Sequence, residues 1–291
     1  MLGRVVKKIL MNCGIDLKKM FERVFSCSIL LALKENCLNN LVEDLRKIIP
    51  DISDQYTSDR ESFNAYLELK IRGMHAFQCQ LMLKAIQKMN ARDIMVVDIG
   101  DSSGTHMHYL RELTKKTHAI DSISVNLDIN AIERIKAKGQ KAILCRAEEL
   151  ELKDRDADLF TSFEMVEHLH NPAVFFHRLA KKTKCNRMLI TVPYQKRSRV
   201  GLYRIREASY KPCNAEQEHI FELSPEDWSL LMLHSGWRVL YSEVYHQYPY
   251  KIPIASYFLG RFWRKYDFEG FWGAILEKDT SFSDYYQDWE I

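Results

Sequence analysis

Ile94-Met95-Val96-Val97-Asp98-Ile99-Gly100-Asp101-Ser102-Ser103-Gly104-Thr105 is an apolar run that ends in an acid and then in two glycines separated by small polar residues. The unbroken Ile, Met and Val run reads as a strand buried on both faces, as in a parallel sheet covered by helices. The small-residue turn behind it brings backbone N–H groups and the amino end of a helix close to a ligand, because no bulky side chain stands in the way. Farther along, Val125-Asn126-Leu127-Asp128-Ile129 sets a carboxylate, Asp128, at the end of the next predicted strand. There it can accept hydrogen bonds from both hydroxyls of a ribose. Strand, glycine turn, helix, strand and acid follow the order of a nucleoside-binding unit; a structural turn followed by an unrelated surface acid is the bland alternative.

From Ile94 onward, β-rich runs alternate with amphipathic segments, which predicts an α/β fold with a parallel sheet between helices. Strands are predicted at Ile94–Ile99, Ser122–Leu127, Lys141–Cys145, Leu159–Ser162, Met188–Val192 and Arg238–Val244. Asn171-Pro172 and Ser224-Pro225, the latter followed by Glu226 and Asp227, supply an N-cap and a first-turn proline for two intervening helices. Upstream, Ser58-Asp59-Arg60-Glu61 has the form of a capping box, and Phe63, Leu67, Ile71, Met74 and Phe77 mark the apolar face of a long helix behind it. Before that, Leu2, Val5, Val6, Ile9 and Leu10 recur at helical spacing opposite Arg4, Lys7 and Lys8. The expected organisation is a helical N-terminal extension over 1–57, a core over 58–244, and an aromatic-rich C-terminal extension over 245–291.

Hydrophobic residues make up 46% and charged residues 28% of the 291, a composition that closes a sizeable core and argues against wholesale disorder. The 42 basic and 39 acidic residues are well mixed and leave a net charge of +3, so no strong field exists for nucleic-acid phosphates. The seven cysteines, Cys13, Cys27, Cys37, Cys79, Cys145, Cys185 and Cys213, include no C-x-x-C pair. Free, mostly buried thiols in a reducing compartment are expected. The basic N-terminus lacks the uninterrupted apolar core of a secretory signal. The longest greasy run, Val24–Leu33, falls well short of the ~18 residues needed to span a bilayer, and a cytoplasmic protein is expected.

The opening segment resembles the first motif of the class I methyltransferases, D-x-G-x-G-x-G at the end of the first strand. Asp98, Gly100 and Gly104 match it, and Ser102 stands at the middle glycine. The stretch Asp156-Ala157-Asp158-Leu159-Phe160-Thr161-Ser162-Phe163-Glu164-Met165-Val166-Glu167-His168-Leu169 resembles the ubiquinone-biosynthesis O-methyltransferases and their small-molecule relatives. The likeness covers roughly Ile94 to Val244. It implies a Rossmann-like methyltransferase sheet, seven strands and mostly parallel, with an antiparallel last strand for which Gly273–Lys278 is the candidate.

The same resemblance implies S-adenosylmethionine as cofactor. It puts Asp98, Gly100, Asp101, Ser102 and Gly104 at the glycine turn, Asp128 and Ile129 at the ribose, Ala147 and Glu148 beside the adenine, and Phe163 and Glu164 near the methionine end. Where the family often has an Asp just before the adenine contacts, this chain has Arg146. A nicotinamide dehydrogenase would want G-x-G-x-x-G, and position 105 is Thr.

Methyl transfer from a sulfonium needs no covalent enzyme nucleophile, and neither a G-x-S-x-G elbow nor an H-E-x-x-H helix is found. An oxygen acceptor needs a base; the candidates are His168, the first choice, then Tyr194 in Thr191-Val192-Pro193-Tyr194 and His219 in Glu218-His219-Ile220-Phe221-Glu222. A histidine that only caps or packs a helix is the plain alternative for His168. Glu164, Glu167 and His168, at i, i+3 and i+4, are expected on one helical face. With His219 they form a donor set for Mg²⁺, Mn²⁺ or Zn²⁺, similar to the metal site of the small-RNA 3′-end 2′-O-methyltransferases. Metal-free relatives carry the same E-H pair, so the divalent metal ranks behind the metal-free reading.

On the acceptor side, Lys196, Arg197, Arg199, Arg204, Arg206 and Lys211 suit a phosphate- or carboxylate-bearing molecule, with a solvated loop as the plain reading. In the tail, Tyr257, Phe258, Phe262, Trp263, Tyr266, Phe268, Phe271 and Trp272 crowd around Arg261, Arg264 and Lys265. Core or dimer contact comes first for these rings, then a sugar-stacking wall or a membrane-edge patch. The expected reaction is O-methylation of a small-molecule or glycan-like acceptor, phosphorylated or lipid-linked. Its rivals are a metal-dependent RNA 2′-O-methyltransferase, a non-catalytic scaffold on the same fold, and a nicotinamide oxidoreductase. Peripheral membrane contact is a secondary reading, nucleic acid is not an expected partner, and no oligomeric state is implied.

Overall fold

The computed structural model describes residues 17–53, 63–89, 91–152, 156–201, 218–247 and 270–286. Its strands are β1 (Asp93–Ile99), β2 (Ala119–Asn126), β3 (Lys141–Leu144), β4 (Leu159–Phe163), β5 (Arg187–Pro193), β6 (Arg199–Val200), β7 (Phe221–Glu222), β8 (Trp237–His246) and β9 (Gly270–Lys278). Its α-helices are α1 (Leu17–Glu35), α2 (Asn39–Ile48), α3 (Ala65–Gln87), α4 (Thr105–Thr114), α5 (Ile129–Ala137), α6 (Pro172–Lys182) and α7 (Pro225–His234).

Seven strands join in the order β3-β2-β1-β4-β5-β9-β8, and β6 pairs with β7 as a separate ribbon. β1 to β5 run parallel, whereas β9 is antiparallel to both β5 and β8. The expected sheet with its antiparallel last strand is therefore present, and that strand lies inside the sheet rather than at an edge. β2 begins at Ala119 rather than Ser122, because backbone pairing with β1 continues from Ser122 down to Ala119 opposite Asp93.

Side chains along a strand alternate between faces, and the core divides accordingly. Val96, Leu189 and Ile275 join Phe77, Leu81, Met82, Leu110 and Tyr245 on one side. Their neighbours Val97, Met188, Ile190, Ala274 and Leu276 join Phe160, Phe175, Trp228, Trp237 and Trp272 on the other. Each fully buried Leu, Ile or Phe contributes about 1.5–3 kcal/mol. Phe271 and Trp272, two of the tail's aromatic rings, are core residues.

The predicted caps hold for α6 and α7: Asn171 accepts from Val174 N–H and Ser224 from Asp227 N–H. The capping box does not start α3. Asn64 is extended and its side chain accepts from Leu67 N–H, so the helix begins at Ala65. α3 is also more than amphipathic, since Arg72, His75 and Gln78 are buried along with Ile71 and Phe77. Packing against α1, α2, α4 and β9 encloses it on several sides.

Among the described cysteines all are free; Cys79 and Cys185 are buried, but Cys27 and Cys37 are exposed. No helix among the described residues is long and apolar enough to cross a membrane. Leu2–Leu10, Ser58–Glu61, Arg204, Arg206, Lys211 and the tail residues Tyr257–Phe268 lie outside the described residues.

Candidate active site

The carboxyl ends of β1 and β2 build a turn whose every part has a partner. Gly100 and Gly104 have φ of +94° and +73°, a region in which an L side chain is strained. A Cβ on Gly100 would stand 2.5 Å from Met165 Cγ, and one on Gly104 would stand 2.6 Å from the Gln140 amide nitrogen. Ser102 is not among the described non-glycine residues with positive φ, which explains why a serine serves at the middle glycine position. Asp101 faces inward and accepts from Ser103 N–H (3.0 Å), Gly104 N–H (2.8 Å) and the Ser124 hydroxyl (2.6 Å). Its carboxylate thus builds the turn rather than presenting itself to a ligand. From outside, Arg134 donates to Ser102 O and Lys138 to Ser103 O.

Asp98 is 1% exposed. Oδ1 accepts from the Thr161 hydroxyl at 2.8 Å, while Oδ2 is sealed from solvent with no partner. Burial, reinforced by neighbouring Asp101, pushes its carboxyl well above the ordinary value. A ligand ammonium is the chemical complement of such an oxygen, and the methionine end of S-adenosylmethionine carries one. Asp128 caps α5, with Oδ1 accepting from both Asn130 nitrogens and Oδ2 outside these bonds. Around it Leu127, Ile129 and Leu144 are 50%, 49% and 52% exposed, an apolar rim suited to a flat base. Ala147–Glu149, after β3, forms a 3-10 turn. Arg146, at the family's acid position, lies 3.9 Å from the Glu148 carboxylate.

Beyond β4 the expected single helical face does not form. Glu164 N–H donates to Thr191 O at 2.9 Å, prolonging the β4–β5 pairing, and Glu164 has φ +51°. Only Val166–His168 then turns as a 3-10 helix. What gathers the side chains is the approach of the β6–β7 ribbon, where Ile220, just before β7, donates its N–H to Glu167 O at 2.8 Å. Glu167, His168 and His219 each bring a ligand atom within 4.8 Å of the others; Glu164 is outside this trio. The two imidazoles meet edge to face, 4.6 Å between centroids.

His168 Nδ1 lies 3.1 Å from Glu218 O, and His219 Nδ1 lies 3.5 Å from Glu222 Oε1. Arg199 pairs with the other Glu222 oxygen. A carbonyl or carboxylate behind Nδ1 is how a ligating or basic imidazole is oriented, with Nε2 facing the reaction. Glu167 is 1% exposed, and neither of its oxygens has a hydrogen-bond partner. Burial, then Glu164 and Glu222, pushes its carboxyl well above the ordinary value; burial pushes that of Glu164 up to about 8. Buried acids with orphaned oxygens beside two oriented imidazoles fit a divalent cation.

Tyr194 stands apart from the trio. Its N–H donates to Gly270 O, and its ring meets His246 edge-on at 5.1 Å. His246, Gln78, His106 and Thr191 belong to this region without having been foreseen. The available signal was His75 and Gln78 which, with Gln80, interrupt the otherwise apolar run Met74–Leu83.

A methyltransferase-domain family model matches residues 72–242, more than half of the chain. No protein of curated function matches it in sequence. Among solved structures, a geranyl diphosphate methyltransferase is 10% identical with TM-score 0.54, over 80% of this chain and 92% of that one. A candidate sarcosine dimethylglycine methyltransferase from Galdieria sulphuraria is 15% identical with TM-score 0.50, over 79% and 92%. The [4+2]-cyclase SpnF is 11% identical with TM-score 0.50, over 85% and 97%. At such identities the likeness is one of fold, and a cyclase shares it. The family match and the glycine turn carry the identification: this chain belongs to the methyltransferase-domain family, as a class I, S-adenosylmethionine-dependent methyltransferase.

Proposed function

We propose that the chain transfers the methyl group of S-adenosylmethionine to a hydroxyl oxygen of a small-molecule or glycan-like acceptor. The observation that carries this reading is the convergence of Glu167, His168 and His219 within 4.8 Å, just past β4. The bound sulfonium supplies an activated methyl group. Asp128 would hold the ribose, the Leu127, Ile129 and Leu144 rim the adenine, and Asp98 the ammonium. The protein's remaining task is to set an oxygen in line with the methyl, at ~3–3.5 Å, and to take its proton. His168 suits that role, since Nδ1 is held against Glu218 O and Nε2 is left as the basic nitrogen. In this reading the helices before residue 58 and the chain after 244 shape the acceptor side of the core.

The orphaned Glu167 oxygens favour a second reading of the same trio. Glu167, His168 and His219 would hold a divalent cation that orients paired hydroxyls and acidifies one of them. An oxygen acceptor also agrees with the resemblance of Asp156–Leu169 to the ubiquinone-biosynthesis enzymes. An anionic acceptor finds less support: Arg199 is committed to Glu222, which leaves Lys196 and Arg197 among the described basic residues of that loop.

The test begins with calorimetric titration of S-adenosylhomocysteine, with NADH as control. Labelled S-adenosylmethionine is then offered with catechol, simple glycosides and an RNA oligonucleotide, each with and without EDTA. Label on catechol or a glycoside supports the proposal. Label on RNA alone overturns the acceptor class, and full transfer in EDTA removes the metal.

A further inference from the structure

A line of buried polar side chains runs from the glycine turn to Glu164. His106, in the first turn of α4, places Nε2 2.8 Å from Gln78 Oε1 on α3. Gln78 Nε2 donates to Thr191 Oγ1 on β5 at 3.0 Å. The Thr191 hydroxyl in turn neighbours the Glu164 carboxyl and favours its charged form. Exposure is 7% for His106, 1% for Gln78 and 0% for Thr191.

Each link has a single polarity. An amide oxygen only accepts, so His106 carries its proton on Nε2; an amide NH₂ only donates, so Thr191 Oγ1 receives that bond and turns its own proton toward Glu164. Burial pushes His106 down to about 4, which keeps the ring neutral and the tautomer fixed. Thr191 thereby bears on Glu164 twice, through its neighbouring hydroxyl and through the carbonyl that accepts Glu164 N–H. The backbone bond anchors a non-glycine residue at φ +51°.

Both ends of the line meet at the carboxyl ends of β1 and β4. The His106 ring lies 4.6 Å from that of Phe163. One His106 nitrogen lies within 4.8 Å of carboxylate oxygens of Asp98 and Asp101. Glu164 follows Phe163 directly and keeps Oε1 sealed from solvent without a partner.

We propose that Gln78 is a positioning residue for the methionine end of the cofactor: it directs the Thr191 hydroxyl and, through it, the carboxyl of Glu164. The inference rests on the region being an S-adenosylmethionine site. Gln78→Glu keeps the shape but offers only acceptors, so it draws the Thr191 proton away from Glu164. Thr191→Val removes the hydroxyl at nearly constant volume, and Thr191→Ser keeps it.

Calorimetry on the full chain compares S-adenosylhomocysteine with 5′-methylthioadenosine, which has the same nucleoside without the amino-acid part. Gln78→Glu and Thr191→Val are expected to weaken S-adenosylhomocysteine about tenfold and to leave methylthioadenosine unchanged, while Thr191→Ser restores wild-type binding. Equal losses for both ligands, or no loss for either in folded Thr191→Val, overturn the proposal. Wild-type protein that binds neither ligand removes the cofactor reading itself, a result visible before any variant is made.

Discussion

The carboxylate of Asp101 accepts the backbone N–H of Gly104 at 2.8 Å, so an acid beside the glycine turn works as its internal brace. The same side chain holds Ser103 N–H and the Ser124 hydroxyl, in a place that is 4% exposed. We predict that Asp101→Ala, which strands three buried donors, costs about 2–4 kcal/mol. Urea unfolding measures it, and a wild-type midpoint in the variant would show that the turn does not depend on this side chain.

Asp128 does two things that one substitution can separate. It caps α5 through Oδ1, and the proposed ribose contact needs its charge. We predict that Asp128→Ala loses about 1 kcal/mol of stability with the cap. Asp128→Asn keeps an acceptor for the cap and is expected to stay stable. Both variants should bind S-adenosylhomocysteine more weakly, by about 10- to 100-fold. Undiminished affinity in Asp128→Asn would reduce the residue to a helix cap.

These two residues also show what could be read from the chain alone. The strand that carries Asp98 and ends at Ile99, the turn at Gly100 and Gly104, and the caps at Asn171 and Ser224 depend on local chemistry, and each was legible. The site beyond β4 was legible in residue types but not in shape. Glu164 looked helical by spacing, yet its N–H is claimed by Thr191 on the neighbouring strand. Gln78 meets Thr191 across 113 residues of chain. Periodicity carries no information about such pairings, so a buried glutamine in an apolar helix gave only a hint.

Two buried histidines each subtract stability in acid. His75 is fully buried, with neither ring nitrogen partnered; burial first, then His106 and Arg72, depresses it well below the ordinary imidazole value. Burial also lowers His106 to about 4 from 6.5. Between those values the unfolded chain takes up protons that the folded chain refuses. The histidines' contribution, full above about pH 6.5, is therefore lost as pH falls toward 4, by up to ~1.4 kcal/mol per pH unit for each group, while the raised carboxyls of Asp98, Glu164 and Glu167 act in the opposite sense. We predict that His75→Phe, which keeps the ring contacts with His106 and Tyr109, removes the His75 share of the pH dependence. Parallel slopes for wild type and variant, from urea midpoints across that range, would exclude His75 as a source.

The metal question turns on Glu167, because a carboxyl that is 1% exposed with two orphaned oxygens is destabilising in its charged form unless a cation meets it. If Glu167, His168 and His219 hold such an ion, binding is linked to folding: an ion present at about 100 times its dissociation constant adds about 2.7 kcal/mol. We predict that Mn²⁺ or Zn²⁺ raises the urea midpoint of the EDTA-treated wild type and leaves Glu167→Gln and His219→Ala unmoved. The two variants should differ without metal. Glu167→Gln removes a charge that the fold must bury and is expected to match or exceed wild-type stability in EDTA. His219→Ala removes packing against His168 and is expected to fall below it. A midpoint that ignores metal in the wild type, or follows it equally in Glu167→Gln, would leave the trio as a buried acid beside two oriented imidazoles, with His168 acting as a metal-free base.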